Sequence, residues 1–216
     1  MTNTLDATPV RGLLDRLFAA AAQQEAGPSL WPSRLSLADA SPRERADALA
    51  TAYLPISAQG GNLLYALVRA SRPDTVVEFG TSFGISTIHL AAAVADNGRG
   101  HVLTTELSPA KVAAAQANLA EAGLADAVTI LPGDALETLA DAPQRVDFLL
   151  LDGWKDLCLP VLRLLESRLA PGALVVADDT SMASMTAYLD YVHDPANGYV
   201  GVAFPVEDGM EISVRA

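Results

Sequence analysis

Leu149-Leu150-Leu151-Asp152-Gly153-Trp154-Lys155-Asp156 and, 26 residues beyond Asp152, Val175-Val176-Ala177-Asp178-Asp179-Thr180 decide how this chain folds. Each acid closes an apolar run too short for a core helix and suited to a buried parallel strand. Both runs should therefore deliver their acids to the carboxyl edge of one sheet. Open α/β sheets bind ligands at that edge. Three carboxylates gathered there beside a lysine repel one another unless a divalent cation neutralises them. The pattern points to a metal before any cofactor is considered.

Upstream of these runs, strand and helix patterns alternate. Residues 75–80 read as a strand, 84–95 as a helix and 101–106 as a second strand. Ser108-Pro109 supplies an N-cap and a first-turn proline for a helix with Val112, Ala115, Leu119 and Ala122 on one face, which Gly123 ends. Strand patterns follow at 128–131, 146–151 and 173–177, with helical patterns at 135–139, 159–169 and 182–192. The tail differs. Residues 199–204 and 210–214 are strand-like and joined by Pro-Val-Glu-Asp-Gly, too short for a crossover helix, so they should pair as an antiparallel hairpin. Helical spacing also covers 9–25, a stretch from Ser41-Pro42 toward Tyr53, and 57–70. The predicted fold is α/β: a doubly wound, Rossmann-like seven-stranded sheet with an antiparallel C-terminal strand pair and N-terminal helices.

Composition bounds the function. The 216 residues, half of them apolar, suit one domain. No apolar stretch reaches the roughly 18 residues of a membrane span, and Met-Thr-Asn-Thr-Leu-Asp lacks the order of a signal peptide, so a cytoplasmic location is expected. Cys158 is the only cysteine, which excludes an intrachain disulfide, and His89, His101 and His193 are scattered. A formal charge of −12 disfavours nucleic acid, although Arg34, Arg43 and Arg45 could override that field within about 8 to 10 Å.

The first strand runs into Glu78-Phe79-Gly80-Thr81-Ser82-Phe83-Gly84-Ile85-Ser86, a glycine turn feeding a helix. Such turns let a ligand approach the backbone, and the helix N-terminus attracts an anionic group. The spacing is Gly-x-x-x-Gly, whereas the dinucleotide fingerprint needs Gly-x-Gly-x-x-Gly. Glu106, at the end of the second strand, can accept from both ribose hydroxyls of a nucleoside. Asp134, in Gly133-Asp134-Ala135 after the third, is placed to accept from an adenine amino group.

Together, Glu78-Phe79-Gly80-x-x-x-Gly84-x-Ser86, Thr-Thr-Glu106, Gly133-Asp134-Ala135, Asp152-Gly-Trp154-Lys155-Asp156 and Ala-Asp178-Asp179 resemble the cation-dependent O-methyltransferases, the group of catechol and caffeoyl-CoA O-methyltransferases. The resemblance runs from about Ile56 to the C-terminus. It implies one S-adenosylmethionine-dependent methyltransferase domain over 1–216, with 1–55 a helical lid or dimer segment and 56–216 the Rossmann-like core. It implies that Glu78, Gly80, Ser82, Gly84, Ser86, Glu106, Gly133, Asp134, Ala135, Asp152 and Trp154 surround S-adenosylmethionine, with Trp154 also bordering the acceptor ring. It further implies a divalent cation on Asp152, Asp178 and Asp179, catalysis by Lys155 as general base with Asp152, a small phenolic substrate, and a homodimer. The family places Asn where this chain has Asp179. The extra charge leaves Ca²⁺ and Mn²⁺ beside Mg²⁺ as the ion.

The chemistry is consistent with these residues. A phenol titrates near pH 10, so about one molecule in a thousand is phenolate at pH 7, and attack on a sulfonium methyl needs assisted ionisation. Chelation of adjacent hydroxyls by a dication supplies it, and the same charge should push Lys155 toward neutrality against the pull of Asp152 and Asp156. Simpler readings exist for each residue. The acids could cap the helices that follow them, Lys155 could be solvated, and Trp154 could be packing. Two other functions share these features: an NAD-linked oxidoreductase, and a non-catalytic protein that binds an adenosyl ligand.

Overall fold

The computed structural model describes residues 3–30 and 39–216. Among these, seven strands form one mixed sheet: β1 (Thr75–Phe79), β2 (His101–Glu106), β3 (Val128–Pro132), β4 (Val146–Leu151), β5 (Leu169–Asp178), β6 (Tyr199–Phe204) and β7 (Met210–Arg215). Their order is β3-β2-β1-β4-β5-β7-β6. The first five are parallel, and β7 runs antiparallel to both β5 and β6. The expected architecture is present. Strand order reverses between β1 and β4, which makes the carboxyl ends of those two strands the topological switch point.

Both faces of the sheet are covered, and the central strands are accordingly mostly apolar, with Glu78 a buried exception in β1. One core joins α1 (Thr8–Glu25), α3 (Ala58–Ser71), α4 (Ile85–Asn97) and α5 (Pro109–Glu121) through residues such as Leu13, Leu64, Ile88 and Leu119. The other joins α6 (Ala135–Thr138), α7 (Cys158–Leu165) and α8 (Thr186–His193) through Ala135, Leu162 and Tyr188. The apolar face of α1, with Val10, Leu13, Leu14 and Leu17, lies inside the first core. It is therefore not a free surface for a second subunit.

Among the boundaries that depart from the sequence reading, three have a clear tertiary cause. The helix α2 (Pro42–Ala48) begins at the expected place, where Ser41 and Glu44 form a capping box, but ends before Tyr53. The Tyr53 N–H is taken by Gln24 Oε1 at 2.6 Å and its ring stacks on Phe83 at 4.3 Å, so the chain leaves the helix to make tertiary contacts. α8 starts four residues later than position 182. Thr180 and Ser181 donate to the carbonyls of Gly209 and Asp208, which ties this segment to the β6–β7 turn. β5 begins at Leu169, because Leu169 pairs with Val146 ahead of a register shift that the apolar pattern does not show.

Candidate functional site

β4 and β5 end side by side next to the switch point and place Asp152, Asp178 and Asp179 so that one oxygen from each lies within 4.8 Å of the others. Neighbouring residues of an extended strand point to opposite faces. Asp179 breaks that alternation with a left-handed φ of 54°, which lets it share a site with Asp178. None of the three caps a helix, so the simpler reading of these acids fails.

Lys155 Nζ sits between two of them, 3.0 Å from Asp152 Oδ1 and 3.1 Å from Asp179 Oδ2, with its side chain 11% exposed. Burial by itself opposes the lysine charge. The carboxylates of Asp152 and Asp179 outweigh it and hold the ammonium above its ordinary range. The pull of Asp152 on the lysine charge is as expected, and Asp179 adds to it. Burial and then the Asp152 charge push Asp178 up to about 8. Burial also raises Asp152, against the pull of Lys155. Fully ionised, three carboxylates and one ammonium leave two negative charges uncompensated. Hard oxygen donors converging on such a point fit Mg²⁺, Ca²⁺ or Mn²⁺. The clustered candidate ligands among the described residues include no histidine. His89 and His101 instead face Ile85 O and Thr129 Oγ1.

Asp156 is a correction. It turns away from Lys155 and takes Arg45 in a two-point ion pair, Nη1 to Oδ1 at 2.7 Å and Nη2 to Oδ2 at 2.9 Å. Arg45 also lies over the Trp154 ring, 4.9 Å from its centroid. The sequence offered no pairing signal for Arg45, whose partner is 111 residues away. Arg34 lies outside the described residues.

The glycine turn between β1 and α4 has positive φ at Gly80 (105°), Ser82 (47°) and Gly84 (87°). A Cβ at Gly80 would lie 2.7 Å from Gly153 N, so this glycine serves the close approach of the two switch-point loops. Glu106 is held by the backbone: Oε2 accepts from Ser82 N–H and Oε1 from Ser108 N–H, each at 2.8 Å. That contact ties the end of β2 to the glycine turn. Ser82 Oγ and Glu78 Oε1 are buried without a hydrogen-bond partner. Such open polar atoms fit a polar ligand at this turn. Burial pushes Glu78 up to about 7, against the hydroxyls of Ser86, Thr104 and Thr87. Gly133 (φ 131°) donates to Glu106 O at 2.9 Å. Asp134 Oδ1 caps α6 through Leu136 N–H, and Ala135 is buried behind it. A cavity of about 380 Å³ opens between Arg43, Leu107, Val112 and Gly133.

Residues 77–180 match the family described as a methyltransferase domain. Catechol O-methyltransferase of Mus musculus is 32% identical over 139 residues, which are 61% of this chain and 52% of that protein. Catechol O-methyltransferase of Sus scrofa is 30% identical over 139 residues, 61% of this chain and 74% of that one. The chain thus spans about half the length of the mouse relative. An O-methyltransferase from Bacillus cereus, solved in complex with SAH, superposes with a TM-score of 0.69 over 93% of this chain and all of that one, at 21% identity, a likeness of fold.

Proposed function

Because this chain belongs to the O-methyltransferase family that includes the catechol O-methyltransferases, we propose that it moves a methyl group from S-adenosylmethionine to a hydroxyl of a small phenolic, catechol-like acceptor, with a divalent cation assisting. The carrying observation is the convergence of Asp152, Asp178 and Asp179 within 4.8 Å, with Lys155 between two of them. The SAH held by the Bacillus cereus neighbour supports the cofactor assignment, as do the open polar atoms of the glycine turn. Gly80-x-x-x-Gly84 lacks the dinucleotide spacing, which weighs against NAD.

In this reading Asp152, Asp178 and Asp179 hold the cation, which when bound lowers the pKa of adjacent acceptor hydroxyls. S-adenosylmethionine supplies the electrophilic methyl on its sulfonium. Glu106 takes the ribose hydroxyls with the lone pairs left by Ser82 and Ser108, and Glu78, Ser82, Ser86 and the turn enclose the methionine end. Asp134 and Ala135 border the adenine, Asp134 with the oxygen not used in capping. Trp154 forms a wall for the acceptor ring. Lys155 removes the hydroxyl proton once the charge of its carboxylate partners is otherwise neutralised. Holding the nucleophile about 3 Å from the methyl carbon contributes several kcal/mol.

We take the chain as one methyltransferase domain over 1–216. Its dimer contact in this reading is the apolar row Val200, Val202 and Phe204 exposed on edge strand β6. Val202→Lys checks this by sedimentation velocity: loss of a wild-type dimer is expected, and an unaffected dimer refutes the assignment. The function is tested by incubating the protein with S-adenosylmethionine, Mg²⁺ and a panel of vicinal diols, with products read by mass spectrometry. Methylated diol that disappears in EDTA and returns with excess Mg²⁺ is expected. Full turnover in EDTA removes the cation, and binding of NADH without SAH overturns the whole reading.

A further inference from the structure

We propose that Arg45 is a positioning residue for the acceptor side of this site, locking α2 across the cleft and fixing the turn that carries Lys155; the proposal rests on the methyltransferase reading. Arg45 is 8% exposed, and its fork meets Asp156 at two points. Bidentate pairs of this kind fix orientation as well as distance. The guanidinium lies over Trp154 at the same time. Trp154 and Asp156 flank Lys155, so one side chain holds both neighbours of the residue whose Nζ must reach Asp152 and Asp179.

Two residues before Arg45 in α2, Arg43 Nη1 donates to Leu107 O at 3.5 Å, just past the end of β2. In the sheet, β1 lies between β2 and β4. α2 therefore bridges the switch point from the nucleoside side to the acceptor side, with its phase set by the Ser41–Glu44 capping box. Arg45 Nε is buried without a hydrogen-bond partner. Lysine has the charge but not the fork or the planar stacking surface.

The test uses the full chain with Arg45→Met, Arg45→Lys, Asp156→Asn and the Arg45→Met/Asp156→Asn pair. Hydrogen exchange over residues 152–158 is expected to speed up about tenfold or more in Arg45→Met and Asp156→Asn while β1 amides keep their wild-type rates. With catechol as probe, kcat/KM should fall about 10- to 100-fold. The SAH dissociation constant should stay within about threefold of wild type. The double variant should be no worse than the worse single one, and lysine should recover only part of the loss. Unchanged exchange over 152–158, additive losses, or full recovery with lysine would overturn the assignment. If Arg45→Met does not fold, Asp156→Asn and Arg45→Lys carry the same readings. A wild-type chain that neither binds SAH nor methylates diols defeats the functional reading, and the exchange data still decide the lock.

Discussion

Replacing Glu78 with Gln should change how the stability of the cofactor-free protein depends on pH. Glu78 is completely buried at the end of β1, with Thr87 Oγ1 donating to Oε2 at 2.5 Å and Oε1 unpartnered. Burial is the largest cause of its rise from 4.5 to about 7, and the surrounding hydroxyls offset only part of it. The folded state thus binds this proton more tightly than the unfolded chain, so the penalty is absent below pH 4.5. It grows as pH rises toward about 7 and is constant above that. At about 1.4 kcal/mol per tenfold change in proton affinity, the full effect is about 3 kcal/mol. Gln has nearly the same shape and cannot titrate. The two proteins should therefore be close in stability near pH 4.5, and Glu78→Gln should lead by about 3 kcal/mol at pH 8. Urea unfolding at half-unit pH steps, in EDTA and without SAH, reads this as a midpoint gap widening by about 1 M. A gap that stays flat from pH 4.5 to 8 would refute the argument, because it would mean that Glu78 titrates alike in both states.

Three further outcomes follow from the same geometry. Lys155→Met should lower kcat about 100-fold or more while SAH affinity, measured by calorimetry, stays near wild type; equal losses in both would make Lys155 a packing residue. Asp152→Asn should abolish Mn²⁺ binding, measured by electron paramagnetic resonance, at concentrations that saturate the wild type, and retained affinity would exclude Asp152 as a ligand. Gly153→Ala drives a methyl into the Phe79 ring and should cost about 1 to 3 kcal/mol in urea unfolding, whereas an unshifted midpoint would show that the ring moves freely.

Local periodicity determined much of this protein. β2, β4 and β6 lie where the apolar patterns place them, and the tail forms the expected antiparallel pair, because alternation, run length and turn residues act over a few positions. Acids that close two buried strands had to emerge at one sheet edge, so the approximate position of the candidate site was legible as well. Tertiary structure decided which groups meet there. The strand order puts β1 beside β4, the left-handed turn at Asp179 brings two adjacent carboxylates to one point, and Asp156 pairs with an arginine 111 residues away rather than with its neighbour Lys155. The Lys155 ammonium is held above its ordinary range for a related reason: two loops from different strands press carboxylates against it, and their combined field exceeds the cost of burying the ammonium. Such meetings depend on register and on loop dihedral angles, which a pattern read a few residues at a time does not contain.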